Sequence, residues 1–235
     1  MSGAFHLSIP FVPSPNRHPR TRDSWFGTVV HFTASGAGTR GDVGWLCNPL
    51  AKASAHFVIG RDGKKTQLVS LDDCAWHAGI SQLTDIDGTV MLGCNGFMLG
   101  IELDNLGPLV QDAAGAWGYE NGSTIEPYDG LSPVAARLQF AGGHALEASW
   151  EPFPDVQIAS LAELLGWLAD AGMRDAVHNI VGHEEIALPP GRKIDPGPLF
   201  PWARFARRLP RLTSSSLLMP APAPVLPGNG DFSLT

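Results

Sequence analysis

The sequence predicts an α/β fold, with a mixed central β-sheet flanked by helices in a single domain. Three observations carry this expectation. Short β-branched and aromatic runs are interspersed with helical patterns. Two of the runs flank an Asp-Gly pair and read as a hairpin. The chain has 235 residues and 44% apolar content, enough for one good core.

Taken in order, residues 1–24 are rich in Pro, Arg and Ser and are expected to form an irregular arm. The run GTVVHFT (27–33) is bounded by Gly and Ser and predicts a buried strand with His31 near its C-terminal end. A helix is possible over 41–52, limited by Gly44 and Pro49. AHFVIG (55–60), the turn Arg-Asp-Gly and KTQLV (65–69) form the expected hairpin, and FMLGIEL (97–103) the next strand. The stretch 105–152 is Gly-rich and weakly periodic, so it reads as a long surface excursion of the kind that is often functional or disordered. Helical spacing of Val156, Ile158, Leu161, Leu164, Leu165 and Leu168 follows, with Asp155 as N-cap and Gly172 as stop. A short strand AVHNIV (176–181) leads into Gly182-His183, and a last helix is expected around 201–209. The Pro/Ser-rich segment 213–235 reads as a flexible tail, leaving 25–212 as the folded domain.

Charge and cysteine content exclude several classes. Sixteen Lys and Arg against 23 Asp and Glu give −7, with no dense basic run, so no nucleic-acid or anionic-membrane partner is expected. Arg204, Arg207, Arg208 and Arg211 read as the solvated face of a terminal helix. Cys47, Cys74 and Cys94 are too few and too scattered for a disulfide scaffold or a thiolate zinc knuckle. The N-terminus lacks a positive n-region, and Pro10 and Pro13 break its apolar stretch, so no signal peptide is read and the expectation is cytoplasmic at synthesis. No apolar segment approaches the roughly 18 residues of a membrane span. A monomer is expected.

Four segments hold most of the histidines and the unusually placed charges: VVHFTAS (29–35), AWHAGISQ (75–82), GIELDN (100–105) and VGHEEIALPPGRKIDPGPLFPW (181–202). In the last, a strand-end His and an Asp across a Pro/Gly-constrained loop can present an imidazole and a carboxylate to one point. Two histidines and one carboxylate leave a fourth tetrahedral position open for water, as in catalytic rather than structural zinc. Glu102, in an otherwise apolar strand, is costly to bury unless paired or functional.

These segments, in this order, resemble the zinc-dependent N-acetylmuramoyl-L-alanine amidases of the type 2 amidase family, which shares its fold with peptidoglycan-recognition proteins. The resemblance runs from about Val29 to Trp202. It implies that His31, His183 and Asp195 hold a Zn²⁺ ion, with aspartate where some relatives place a cysteine. It further implies that Glu102 activates water and that Lys193 stabilises the developing oxyanion. Trp76 and His77 are expected to line the substrate cleft, and Arg192 is a candidate partner for a peptide carboxylate of the substrate. The role of His56 stays open between structure and site, and His6, His18, His144 and His178 are not assigned to the metal.

The implied partner is peptidoglycan or a muropeptide, cut between N-acetylmuramic acid, or its anhydro form, and L-alanine. An endolysin, a cytosolic recycling enzyme and an amidase acting on another amide are not separable at this level. A non-catalytic binding module of the same fold is the alternative, and the complete ligand set argues against it. Two departures stand out. The excursion carries Trp117, Tyr119, Tyr128 and Phe140 and could wall the groove, and no separate wall-binding domain is visible.

Overall fold

The computed structural model describes residues 9–141 and 143–209. In chain order its elements are β1 (Arg17–Pro19), β2 (Gly27–Phe32), α1 (Gly38–Leu46), β3 (Phe57–Ile59), β4 (Lys65–Gln67), β5 (Asp73–Ala75), β6 (Gln82–Thr84) and β7 (Val90–Leu92). Then follow β8 (Met98–Leu103), β9 (Pro108–Gln111), β10 (Trp117–Asn121), β11 (Thr124–Pro127), β12 (Val134–Gln139), β13 (Ala145–Trp150), α2 (Asp155–Asp170), β14 (Ile180–Gly182), α3 (His183–Ile186) and α4 (Trp202–Ala206).

The central sheet has the order β14-β2-β8-β3-β4, parallel throughout except for the β3–β4 hairpin. β2, β3, β8 and β14 are buried on both faces, which is why they read as continuous apolar runs, while the edge strand β4 is half-buried. Val30 of β2 and Leu99, Ile101 and Leu103 of β8 turn to one face, where they pack with Ile158, Leu161, Leu165 and Leu168 of α2. The alternate residues, including His31 and Glu102, turn to the other face. Pro154 occupies the N-cap of α2, with Asp155 in the first turn beside the positive helix end. Asp155 also pairs with Arg204 near α4.

Residues 9–24 are irregular apart from a bridge at Phe11 and β1, and they are docked against the domain. Asn16, 2% exposed, donates its amide to the carbonyls of Asn48 and Ala53, both at 2.9 Å, while Val12 and Ser14 N–H bond the carbonyls of Gln67 and Leu68. β1 pairs with β5. Proline is tolerated in edge strands, and Pro19 lies in the edge strand β1, so a Pro-rich composition did not prevent docking. The excursion 105–152 is likewise ordered, as a second, antiparallel sheet β11-β10-β9-β13-β12. Its buried residues are few, Leu109, Gly118, Leu138 and Trp150 among them, so its strands carry little of the alternation that betrays a half-buried sheet. Expectations for 1–8 and the tail 213–235 fall outside the described residues. Among the described residues no helix is long and apolar enough to cross a membrane.

Buried charges join the two sheets. Glu151, 3% exposed, accepts both Arg61 Nε at 2.8 Å and Arg61 Nη2 at 2.9 Å, and the Leu106 N–H at 2.6 Å. Arg61 Nη1 also approaches Asp104 Oδ1 at 2.9 Å, outside hydrogen-bond geometry, so that contact is purely a charge pairing. Asp104 accepts the Thr39 hydroxyl at 2.8 Å. Beside this cluster lies Asp42 of α1, 3% exposed, with neither carboxylate oxygen bonded. Burial pushes its carboxyl up to about 6 and the neighbouring Asp104 adds to this, while the hydroxyls of Ser35 and Thr33 and the charge of Arg61 oppose it. Glu102 is the other carboxylate that senses Asp42.

Two stability outcomes follow from these charges. Glu151→Ala strands Arg61 and the Leu106 N–H and is expected to lower unfolding free energy by about 3 kcal/mol in denaturant titrations. Lys64→Ala, which removes only an exposed pair with Asp62, should leave it nearly unchanged. Equal effects would show that Glu151 is not the tie between the sheets. The folded carboxyl of Asp42 lies above its unfolded value, so its stabilising contribution is present at low pH and is lost as pH rises from about 4 through about 6. Asp42→Asn should therefore gain on the parent chain across that window, by up to about 3 kcal/mol at neutrality. Parallel stability–pH curves for the two proteins would refute this.

Candidate metal centre and its cleft

The parallel strands β14, β2 and β8 deliver the site residues to one row. Gly182 pairs with Val30 and His31 pairs with Glu102. His183, the residue after Gly182 and the first of α3, therefore stands level with His31. The C-terminal ends of parallel strands are where α/β folds hold their ligands. Asp195 arrives on the loop after α3, tied down by the Glu184 N–H, which donates to the Asp195 carbonyl at 2.9 Å.

Three buried side-chain atoms meet there. His31 Nδ1 and His183 Nδ1 are 3.0 Å apart, and Asp195 Oδ2 lies 2.9 Å from the first and 3.0 Å from the second. They form a group that could hold a metal ion among the described residues. The outer nitrogens decide which tautomers are present. His183 Nε2 lies 3.1 Å from the Ala78 carbonyl and His77 Nε2 lies 3.1 Å from the Met98 carbonyl. A carbonyl only accepts, so both nitrogens carry protons. His77 Nδ1 is then an acceptor, and His31 Nε2, 3.0 Å away, donates to it. Both inner Nδ1 atoms are left as lone pairs facing a carboxylate oxygen.

In these tautomers three acceptor atoms lie about 3 Å apart, a set that could hold a cation. Protons are poor substitutes. Burial, with His183 alongside, holds His31 down to about 4. Burial raises the Asp195 carboxyl, and only hydrogen bonds and positive charge from imidazoles that carry a proton toward it bring it below the usual carboxylate range.

The triad lines a cleft of about 600 Å³ whose walls include Asp42 and Trp45 of α1, Trp76, Glu102, Arg192 and Lys193. Glu102 is half-buried, and its Oε2 is buried without a partner. Burial raises its carboxyl well above the ordinary value, Asp195 and Asp42 add to this, and Lys193 opposes it. Trp76 is held by its indole N–H, which donates to His18 Nδ1 at 2.9 Å. His77 is 9% exposed and has both ring nitrogens engaged inside the protein. Arg192 donates to the carbonyls of Leu188, Ala78 and Ile80, at 2.7, 3.1 and 2.7 Å. His56 is structural: Gly100 N–H donates to its Nδ1 at 3.0 Å and its Nε2 bonds the Asp73 carbonyl at 3.1 Å. His144 and His178 do not line the cleft.

The opposite wall comes from the second sheet through Leu106, Pro108, Val110, Tyr119 and Glu120. The phenol of Tyr119 lies over Gly36, where a Cβ would come within 1.9 Å of its hydroxyl. Of the four aromatic residues singled out in the excursion, only Tyr119 reaches this cleft. Asp42 and Glu120 carried no local signal, because their place at the cleft depends on packing between distant segments.

Comparison with known proteins gives a consistent relationship. Two 1,6-anhydro-N-acetylmuramyl-L-alanine amidases named AmpD are similar, that of Haemophilus influenzae at 30% identity and that of Escherichia coli at 32%. Each match covers 66% of this chain, and the chain spans only 57% of the length of either relative. Among solved structures, a selenomethionine derivative of AmpD superposes with a TM-score of 0.58 at 24% identity, over 89% of this chain and 99% of that one. Escherichia coli AmiD, in complex with the substrate anhydro-N-acetylmuramic acid-L-Ala-D-gamma-Glu-L-Lys, gives 0.52 at 24%, over 81% of this chain and 60% of that one. Both establish a shared fold. The family model described as N-acetylmuramoyl-L-alanine amidase matches residues 22–198, three quarters of the sequence, and the chain belongs to that type 2 amidase family.

Proposed function

We propose that this chain is a zinc amide hydrolase that cleaves the bond between N-acetylmuramic acid, or its anhydro form, and L-alanine in peptidoglycan or muropeptides. His31, His183 and Asp195 would hold the ion. The observation that carries the reading is the convergence of three buried acceptors on one point, with the unpartnered Glu102 carboxylate in the same cleft. When bound there, Zn²⁺ supplies a Lewis acid and lowers the pKa of water towards roughly 7.

The remaining steps belong to the chain's own side chains. Glu102 has a buried oxygen in need of a donor, so a water in the cleft is its natural partner. A carboxylate whose affinity for protons is raised accepts one from that water more readily, and can deliver it to the departing amine. Lys193 stands on the cleft wall near enough to Glu102 to affect its ionisation, and would hold the negative charge that develops on the carbonyl oxygen. The aromatic faces of Trp45, Trp76 and Tyr119 would exclude water from the far side of the substrate. The names of the AmpD relatives and the AmiD ligand support a muramyl–L-alanine bond as the target.

Purified protein should hold one zinc per chain by elemental analysis and release L-alanine amino termini from cell walls, from soluble anhydro-muropeptides or from both, assayed side by side. His31→Ala should lose both metal and activity. Glu102→Gln should keep the metal and lose roughly 10²- to 10⁴-fold in rate. Zinc-loaded parent protein that cleaves neither substrate would reject the substrate assignment, and a fully active Glu102→Gln would reject the role of the carboxylate.

A further inference from the structure

The segment Trp76–Gly79 contributes two consecutive groups to the metal centre without supplying a ligand. The imidazole of His77 accepts from His31, and the carbonyl of Ala78 accepts from His183. The same Ala78 carbonyl takes the guanidinium of Arg192 at 3.1 Å. Asn95 braces both positions from behind, its Oδ1 accepting the N–H of His77 at 3.0 Å and of Ala78 at 2.7 Å. The ring of His77 rests on the backbone of Gly100 in β8, where a Cβ would sit 2.4 Å from its Cγ. One short loop, fixed by one amide side chain and one bare glycine, thus faces both histidines of the triad.

We propose that His77 is a positioning residue of the metal centre rather than a substrate contact. Its Nδ1 keeps the proton of His31 on Nε2 and so keeps the His31 Nδ1 lone pair aimed at the ion. The inference rests on the triad being the metal site. The two histidines differ in how they are held. His183 is oriented by a backbone carbonyl, which no substitution at position 78 removes. His31 is oriented by a side chain, at the end of a relay that runs from the Met98 carbonyl through His77. The tautomer of His31 is therefore the one that a single change can release.

The consequence is chemical. Remove the acceptor at position 77 and the buried Nε2–H of His31 has no partner. The imidazole can relieve this by moving its proton to Nδ1, where it points at His183 and Asp195. That tautomer satisfies the metal-free cluster and opposes the ion. Loss of such a partner behind a ligand typically lowers metal affinity by roughly 10- to 100-fold.

The test compares His77→Leu, which fills the space without an acceptor, with His77→Asn, whose side-chain oxygen can sit near the place of Nδ1. Zinc affinity is measured on the full chain by chelator competition, together with thermal unfolding of the metal-free proteins. The leucine variant should bind zinc roughly 10- to 100-fold more weakly, and the asparagine variant should recover most of that loss. Unchanged affinity in the leucine variant would overturn the proposal, as would equal losses in both that follow their loss of metal-free stability. If neither variant folds, imidazole ¹⁵N shifts of the metal-free parent decide the matter. An unprotonated Nδ1 and protonated Nε2 on His31 uphold the relay, and the opposite tautomer overturns it. A parent chain that takes up no zinc would instead sink the metal centre itself, while the ¹⁵N shifts still judge the hydrogen bond.

Discussion

The parallel register of β14, β2 and β8 is the constraint from which the site follows. With Gly182 opposite Val30 and His31 opposite Glu102, two imidazoles and a carboxylate stand in one row at the strand ends. A one-residue slip would turn His31 or Glu102 to the helix-covered face and bring Val30 or Ile101 into the cleft. Such a slip would have to place an imidazole or a carboxylate among Ile158, Leu161 and Leu165, and remove Val30 or Ile101 from that packing. Core packing of α2 therefore does more than stabilise the sheet. It selects the one register in which the polar face is assembled.

Electrostatics on that face follow from which ring nitrogens carry protons. The two inner imidazole nitrogens are acceptors because their outer partners are acceptors too, and burial keeps His31 from simply taking a proton. Asp195 brings a carboxylate oxygen to the same point, and a proton donated from either imidazole would lower its proton affinity. Glu102, in the same row, shows the opposite behaviour, its proton affinity raised by burial and by the other carboxylates. Two acids within one cleft thus have their proton affinities shifted in opposite directions.

Much of this was legible in the sequence, for reasons that can be named. β2, β8 and α2 are long or strongly apolar, so their periodicity survives without tertiary information. The residues His31, Glu102, His183, Lys193 and Asp195 sit in short motifs whose order is informative, and the structure brings them to one cleft. The second sheet was not legible, because strands such as Trp117–Asn121 and Thr124–Pro127 bury almost nothing and show no alternation. The composition of the N-terminal segment pointed to irregular backbone but not to its docking, which rests on specific bonds from Asn16 and Ser14. His77 was legible as part of a motif but not in its contacts. That its ring turns inward follows from Gly100 and Asn95, which lie far along the chain.

The second sheet also explains how a wall can be added to the cleft without disturbing its chemistry. Both ends of the excursion close on one another: Asn105 donates its amide to the Glu151 carbonyl at 3.2 Å, and Glu151 N–H bonds the Gly107 carbonyl at 2.9 Å. The charge at this closure is answered by Arg61, which comes from the β3–β4 turn of the central sheet. The wall is therefore anchored to the sheet edge remote from His183, and reaches the cleft through Tyr119, over Gly36. Between anchor and tip its strands are free to vary in sequence, because few of their side chains are buried. The row of His183, His31 and Glu102 depends on strand register, and the contacts behind the histidines on the loop at 76–79, neither of which the excursion supplies. Changes in the wall can thus alter which substrates fit while the row of His183, His31 and Glu102 stays where the parallel strands put it.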